Sequence, residues 1–389
     1  MSTGMDRSTE LHSKRHPRLR IELLQSALLL GALLLCLLAS AAAAGPGWQQ
    51  ATAPREWQFP ADYGAHPAYR TEWWYFTGNL TDASGNAFGY QLTFFRQGIR
   101  LRPADPGNPW SLRDLYLAHF TVTDVAKKRF IFDEAVSRTG PGLAGSREGG
   151  LDVRLLGWSA RMEGGKVFLR AKGNAAALAL ELSLRKPPVV HGEKGFSRKG
   201  PLPGQASYYA TCTDLKTTGL LKTGNDGSVT VSGTSWFDHE FGSNQLAAGQ
   251  VGWDWFGLHL SDGKDLMLYF LRRGGGAIEP ASSGTIVDTA GTSRHLPLSA
   301  IRLEALDHWK SPHSGATYPS RWRIRIPDEG IDLVVSPLLA DQELVTSAST
   351  GVTYWEGAVK GGGTSGNREV TCLGYVELTG YARGMGGLF

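Results

Sequence analysis

Apolar and polar residues alternate with a period of two along much of the chain, in short runs broken by Gly, Asp and Asn. Such runs are FGYQLTFFR (88–96), DLYLAHFTVTD (114–124), ALALELSLR (177–185), RWRIRIP (321–327) and IDLVVSP (331–337). Period two marks a strand whose faces differ. In RWRIRIP the Arg residues alternate with Trp322, Ile324 and Ile326, which predicts one wet face and one buried face. Short strands set apart by turn residues predict an all-β sandwich or barrel. Beyond the N-terminal segment no long amphipathic helix pattern is found. A content of 50 Gly, 12 Trp and 12 Tyr suits many turns joining aromatic strands.

The N-terminal 44 residues follow a different rule. Arg7, Lys14, Arg15, Arg18 and Arg20 precede an apolar run from Leu23 to Leu38, and the tract Ala39 to Ala44 offers small-residue cleavage sites. That order is the pattern of a secretory signal peptide. It predicts a periplasmic or secreted protein, with an uncleaved membrane anchor as the alternative; Cys36 lacks the small residue that a lipoprotein site wants before its Cys. Removing this segment's five basic and three acidic residues from the chain's 40 and 36 leaves a net charge of +2. So small a charge asks for no nucleic-acid partner. Cys212 and Cys372 then remain, and two readings stay open for them: separate buried thiols, or a disulfide permitted by export.

An internal similarity organises the rest. WWYFTGNLTDASG (73–85) and WDWFGLHLSDG (253–263) share an aromatic strand, Leu, Thr or Ser, Asp and a turn Gly, and each leads into an apolar strand ending on Arg. Two copies of one opening hairpin imply two copies of one fold. Residues 45–246 and 247–389 are read as two tandem antiparallel β-barrels joined around Asn244 to Gln250, each of a size to enclose a small apolar ligand. The Pro, Gly and Lys-rich stretch 186–204 is read as a long loop of the first barrel, of the kind that serves as a lid or mobile binding loop.

Candidate chemistry gathers at TSWFDHEFG (234–242). Ionisable groups beside apolar surface are costly unless paired or shifted in pKa, so Asp238, His239 and Glu240 among Trp236, Phe237 and Phe241 form a candidate site. On a strand, Trp236, Asp238 and Glu240 share one side, and Phe237, His239 and Phe241 the other. Either His239 faces an apolar interior, or the two acids face a pocket where one is held protonated as a general acid. Around YRTEWWYFTGN (69–79), Glu72, Trp74 and Phe76 share one face, and Trp73, Tyr75 and Thr77 the other. These rings are read as a wall for an apolar ligand, able to stabilise positive charge. Trp253 and Trp255 repeat the arrangement, and Asp254 between them is a candidate partner for Asp238 or His239. Glu356 and Glu377 are read as cross-strand structural residues. No HExxH or paired-Cys spacing is present, so no metal is expected, and no GxSxG elbow or phosphate-binding loop appears in the mature chain.

TEWWYFTGNL, SWFDHEFG, GWDWFGLHL, YWEGAV and GYVELTGY, in this order over nearly all of residues 66–389, resemble the AttH-like family that includes the carotenoid 1,2-hydratases. The resemblance implies two lipocalin-like barrels packed together, an apolar carotenoid or lipid ligand, and addition of water to a carbon–carbon double bond without a cofactor. In that reading Asp238 is the acid, His239 or Glu240 the base, and Trp73, Trp74, Trp253 and Trp255 the wall. The resemblance equally implies a carrier of apolar ligands working at a membrane surface with an ABC-type permease, or a secreted hydrolase.

Overall fold

The structure, a computed structural model, describes residues 47–244 and 246–385. The predicted signal segment and the anchor alternative, residues 1–44, lie outside the described residues. Among the described residues the regular structure is β-strand with a few short 3-10 turns, and no helix is long and apolar enough to cross a membrane.

The strands form two antiparallel sheets. The first is built from strands between Thr71 and Gly242 and curls into a nearly closed barrel, and the second, from Gln250 to Leu378, is a half-barrel. Alternation decides which residues go inside. In Lys166–Lys172, for example, Val167, Leu169 and Ala171 are buried while the residues between them are more exposed. The interior of the first sheet holds Trp74, Phe76, Leu92, Phe94, Phe120 and Phe237. That of the second holds Phe256, Leu268, Trp322, Leu333 and Trp355.

A third cluster lies between the sheets. Tyr75, Tyr209 and Trp236 from the first pack on Trp255, Met267, Tyr269 and Tyr375 from the second. The Thr71–Asp82 strand is therefore buried on both faces, Trp74 and Phe76 inward and Tyr75 toward the other sheet. Where the Ala87–Gly98 strand meets the Thr353–Ser365 strand, a Cβ on Gly89 would stand 2.5 Å from the Ala358 Cβ, so only glycine lets the sheets meet there.

The 186–204 stretch differs from the expected lid. Val189–Val190 and Phe196–Arg198 pair with the Ala206–Thr223 strand. Lys186, His191, Ser197 and Lys199 are buried, and Lys186 Nζ meets Asp265 Oδ2 of the second sheet at 2.7 Å. It is a strap fastened to both sheets, because its polar side chains find partners on each. Cys212 and Cys372 are free buried thiols, one in each sheet's interior, and burial pushes both up to about 12.

Gly89→Val should force the sheets apart and destabilise the fold by about 1–3 kcal/mol, the usual cost of overpacking; a urea unfolding curve measures it.

Candidate active site between the sheets

Register places the site. Tyr75 stands opposite Asp238 and Trp73 opposite Glu240 in the pairing of Thr71–Asp82 with Val229–Gly242. On the other flank Thr211 stands opposite Asp238 and Tyr209 opposite Glu240. Directly paired residues share a face, and this face looks at the second sheet. There Trp255 stands opposite both Glu377 and Tyr269, and Trp253 opposite Leu271. Trp73, Tyr75, Asp238 and Glu240 from one side, with Trp253, Trp255 and Glu377 from the other, line a cavity of about 110 Å³. Phe95, His119, Tyr269 and Tyr354 extend its aromatic wall.

Asp238 is held by three donors. Thr211 Oγ1 and Trp236 Nε1 both donate to Oδ1, at 2.5 and 2.6 Å, and the Tyr209 hydroxyl donates to Oδ2 at 2.5 Å. Two donors occupy the lone pairs of Oδ1, so a proton on this carboxyl sits on Oδ2. Burial pushes Asp238 up to about 7 against these hydrogen bonds, and Glu240 adds to the rise. Behind Thr211 stands His191 of the strap. The Thr211 hydrogen goes to Asp238, so His191 Nε2–H donates to Thr211 Oγ1 at 2.6 Å, and Nδ1 accepts from Thr285 Oγ1 at 2.8 Å. Burial lowers His191 to about 3, which keeps the ring neutral. The orientation of Asp238 is thus fixed by a chain that begins on the second sheet.

Glu377 accepts Trp253 Nε1–H at 2.9 Å. Burial raises it to about 7, helped by the charges of Asp238 and Glu240. Glu356, opposite Glu377 in the next strand, is raised well above the ordinary range by burial and by Glu377, while the Tyr75 hydroxyl donates to it at 2.6 Å. Lys199 is the cation among the lining residues. Its Nζ lies 2.9 Å from Glu240 Oε1 and 4.4 Å from the Tyr269 ring centroid. Ser207 also donates to Glu240.

The sequence-derived candidates divide by strand face. Asp238, Glu240, Trp73, Tyr75, Trp253 and Trp255 come together at the cavity, and Trp236 supports Asp238 from beneath. His239 and Trp74 lie on the barrel side, their rings stacked at 5.2 Å. Asp254 points away from the cavity to Arg272 and Tyr381. Glu377 and Lys199 are functional candidates that the sequence pattern alone does not single out. The signal for Glu377 is the likeness of the two hairpins, which puts Glu377 beside Trp255 where Asp238 stands beside Tyr75. Lys199 lies in the stretch notable for its length.

The model of the AttH-like family matches residues 50–381. A search of the curated proteins finds no match. Among solved structures, an AttH protein from Nitrosomonas europaea is 32% identical, covering 87% of this chain and 99% of its own, with a TM-score of 0.75. Kievitone hydratase from Nectria haematococca is 17% identical over 87% of this chain and 97% of its own, with a TM-score of 0.65, a likeness of fold. CghA with Sch210972 shares the fold more distantly, at 12% identity over 80% of this chain and 88% of its own and a TM-score of 0.50.

Tyr209→Phe removes a donor to the ionised form of Asp238, so the Asp238 pKa should rise above its present value of about 7. Carboxyl carbon-13 NMR titration of wild type and variant reads the shift.

Proposed function

The chain belongs to the AttH-like family, and from that premise and the inter-sheet cavity we propose that it adds water across a carbon–carbon double bond of a long apolar molecule of the isoprenoid or lipid class. The observation that carries the reading is the pair of carboxyls, Asp238 and Glu377, contributed by facing sheets to one aromatic cavity and both raised to about 7. The fold shared with a hydratase, that of Nectria haematococca, is in keeping with it.

Hydration of an alkene needs an acid, a wall for a cation and a base. Asp238 gives its Oδ2 proton to the less substituted carbon, and the electrons of the π bond form the new C–H bond. Positive charge remains on the neighbouring carbon. The ring faces of Trp73, Trp253 and Trp255 stabilise it through their quadrupoles. A water molecule forms the C–O bond and passes its extra proton to ionised Glu377. Exchange with solvent returns a proton to Asp238 and removes one from Glu377. His191, Thr211 and Trp236 position the acid, and Lys199 pairs with Glu240 beside it. The reading carries with it an exported protein that takes its substrate from a membrane surface.

In a lycopene-producing host, mass spectrometry of the pigments should show a product one water heavier with wild type and none with Asp238→Asn. The purified variant should lose at least ~100-fold in turnover, the usual scale of general acid catalysis. A folded wild-type protein that leaves lycopene unchanged and copurifies with an unaltered apolar ligand overturns the reading in favour of a carrier.

Asp238 must be protonated and Glu377 ionised. Turnover should therefore fall as pH rises above about 7 and fall again below it, a bell centred near neutrality. Thr285→Val, which frees the His191 tautomer, should lower kcat more than it changes KM.

A further inference from the structure

On the barrel side of the strand that carries Asp238, a second cluster is left unused by this chemistry. His239 Nδ1 lies 2.9 Å from the backbone carbonyl of Asp62, which accepts only, so this nitrogen bears the hydrogen. The Nε2 lone pair of the neutral ring then faces Glu72 Oε1 at 3.0 Å. His66 repeats the arrangement. Its Nε2 is 3.2 Å from Asp62 Oδ1 and its Nδ1 is 2.9 Å from the same Glu72 Oε1. With Nε2–H given to Asp62, both imidazole lone pairs converge on Glu72 Oε1, and the hydrogen that meets this oxygen comes from the His66 backbone N–H and from neither ring. Such a meeting is repulsive unless positive charge lies within it.

The surroundings hold these three groups as a metal's outer contacts do. Each imidazole has its far nitrogen on a carboxylate or carbonyl, which fixes the tautomer and turns the near nitrogen inward. Glu72 Oε2 is held by Arg96 Nε at 3.0 Å, and the His66 backbone N–H lies 3.0 Å from each Glu72 oxygen. The ring planes are fixed as well: His66 stacks on Phe241 at 3.6 Å and His239 on Trp74 at 5.2 Å. Glu72 and His239 are fully buried, while the His66 side chain keeps 14% of its surface exposed.

We propose that His66 Nδ1, Glu72 Oε1 and His239 Nε2 bind one divalent cation of the zinc class. The three atoms lie within 4.8 Å of one another. Two imidazoles and a carboxylate are borderline ligands that suit Zn²⁺ or Co²⁺. Bond lengths of about 2.0–2.2 Å require the ligand atoms to part by a few tenths of an ångström, and the exposed edge of His66 leaves a path for entry and for a water as fourth ligand. The site lies across the sheet from the cavity. It therefore acts on the fold, tying the Ala61–Tyr63 turn and His66 to the Thr71–Asp82 and Val229–Gly242 strands.

The test uses the purified full chain, stripped with chelator and equilibrated with Zn²⁺ or Co²⁺ alone. One zinc per chain should survive gel filtration, cobalt should give the visible absorption of a four-coordinate site, and the melting temperature should rise with either ion. Glu72→Gln should lose all three, and so should His66→Asn, whose partly exposed position spares the fold as checked by circular dichroism. A folded wild-type chain that retains no metal and melts at one temperature with and without it overturns the proposal; protons then bridge the lone pairs. Zinc retained equally by His66→Asn places the ion elsewhere and overturns it too.

Discussion

A β-strand has two faces, and in this protein the strands at the centre of the first sheet bury both. Alternate residues of Thr71–Asp82 and Val229–Gly242 serve a barrel interior and an inter-sheet contact, and neither face tolerates a register slip. Trp74, Phe76, Phe237 and His239 are committed to the first; Trp73, Tyr75, Trp236, Asp238 and Glu240 to the second. Residues adjacent in sequence, such as Asp238 and His239, are thereby separated by the thickness of a sheet. The cavity, its acids and the cluster behind them all follow from that division.

The inter-sheet face is acidic by construction. Asp238, Glu240 and Glu377 share one cavity with Lys199, and burying an unpaired carboxylate is costly. Glu240 has Lys199, but the other acids are met with neutral donors: Tyr209, Thr211 and Trp236 on Asp238, Trp253 on Glu377, Tyr75 on Glu356. Neutral donors orient a carboxyl without fully stabilising its charge, so protons are retained near neutral pH. A guanidinium in their place, as Arg96 beside Glu72, holds its carboxylate ionised.

Period two in TSWFDHEFG puts Asp238 and Glu240 on one side and His239 on the other, and leaves open which side is the pocket. Each side turns out to have its own interior. The paired hairpins announce two sheets, and the aromatic runs announce the cavity wall. What the sequence does not carry is everything that depends on register between distant strands. Tyr209 and Thr211 come to Asp238 from a neighbouring strand, and Glu377 comes to it from the other sheet. In GYVELTGY nothing distinguishes a cavity carboxyl from one bonding across strands, because the partner is set by packing. The 186–204 stretch reads as a loop for the same reason, since its Lys186 and His191 find their partners only once both sheets are in place.

The two-sheet wall also sets an acidity. Burial is the main cause that raises Asp238 and Glu377, and burial exists only while the sheets are in contact. Water admitted between them would return both carboxyls toward their ordinary acidity. The packing of one sheet on the other is therefore also what sets the proton affinity of the pair.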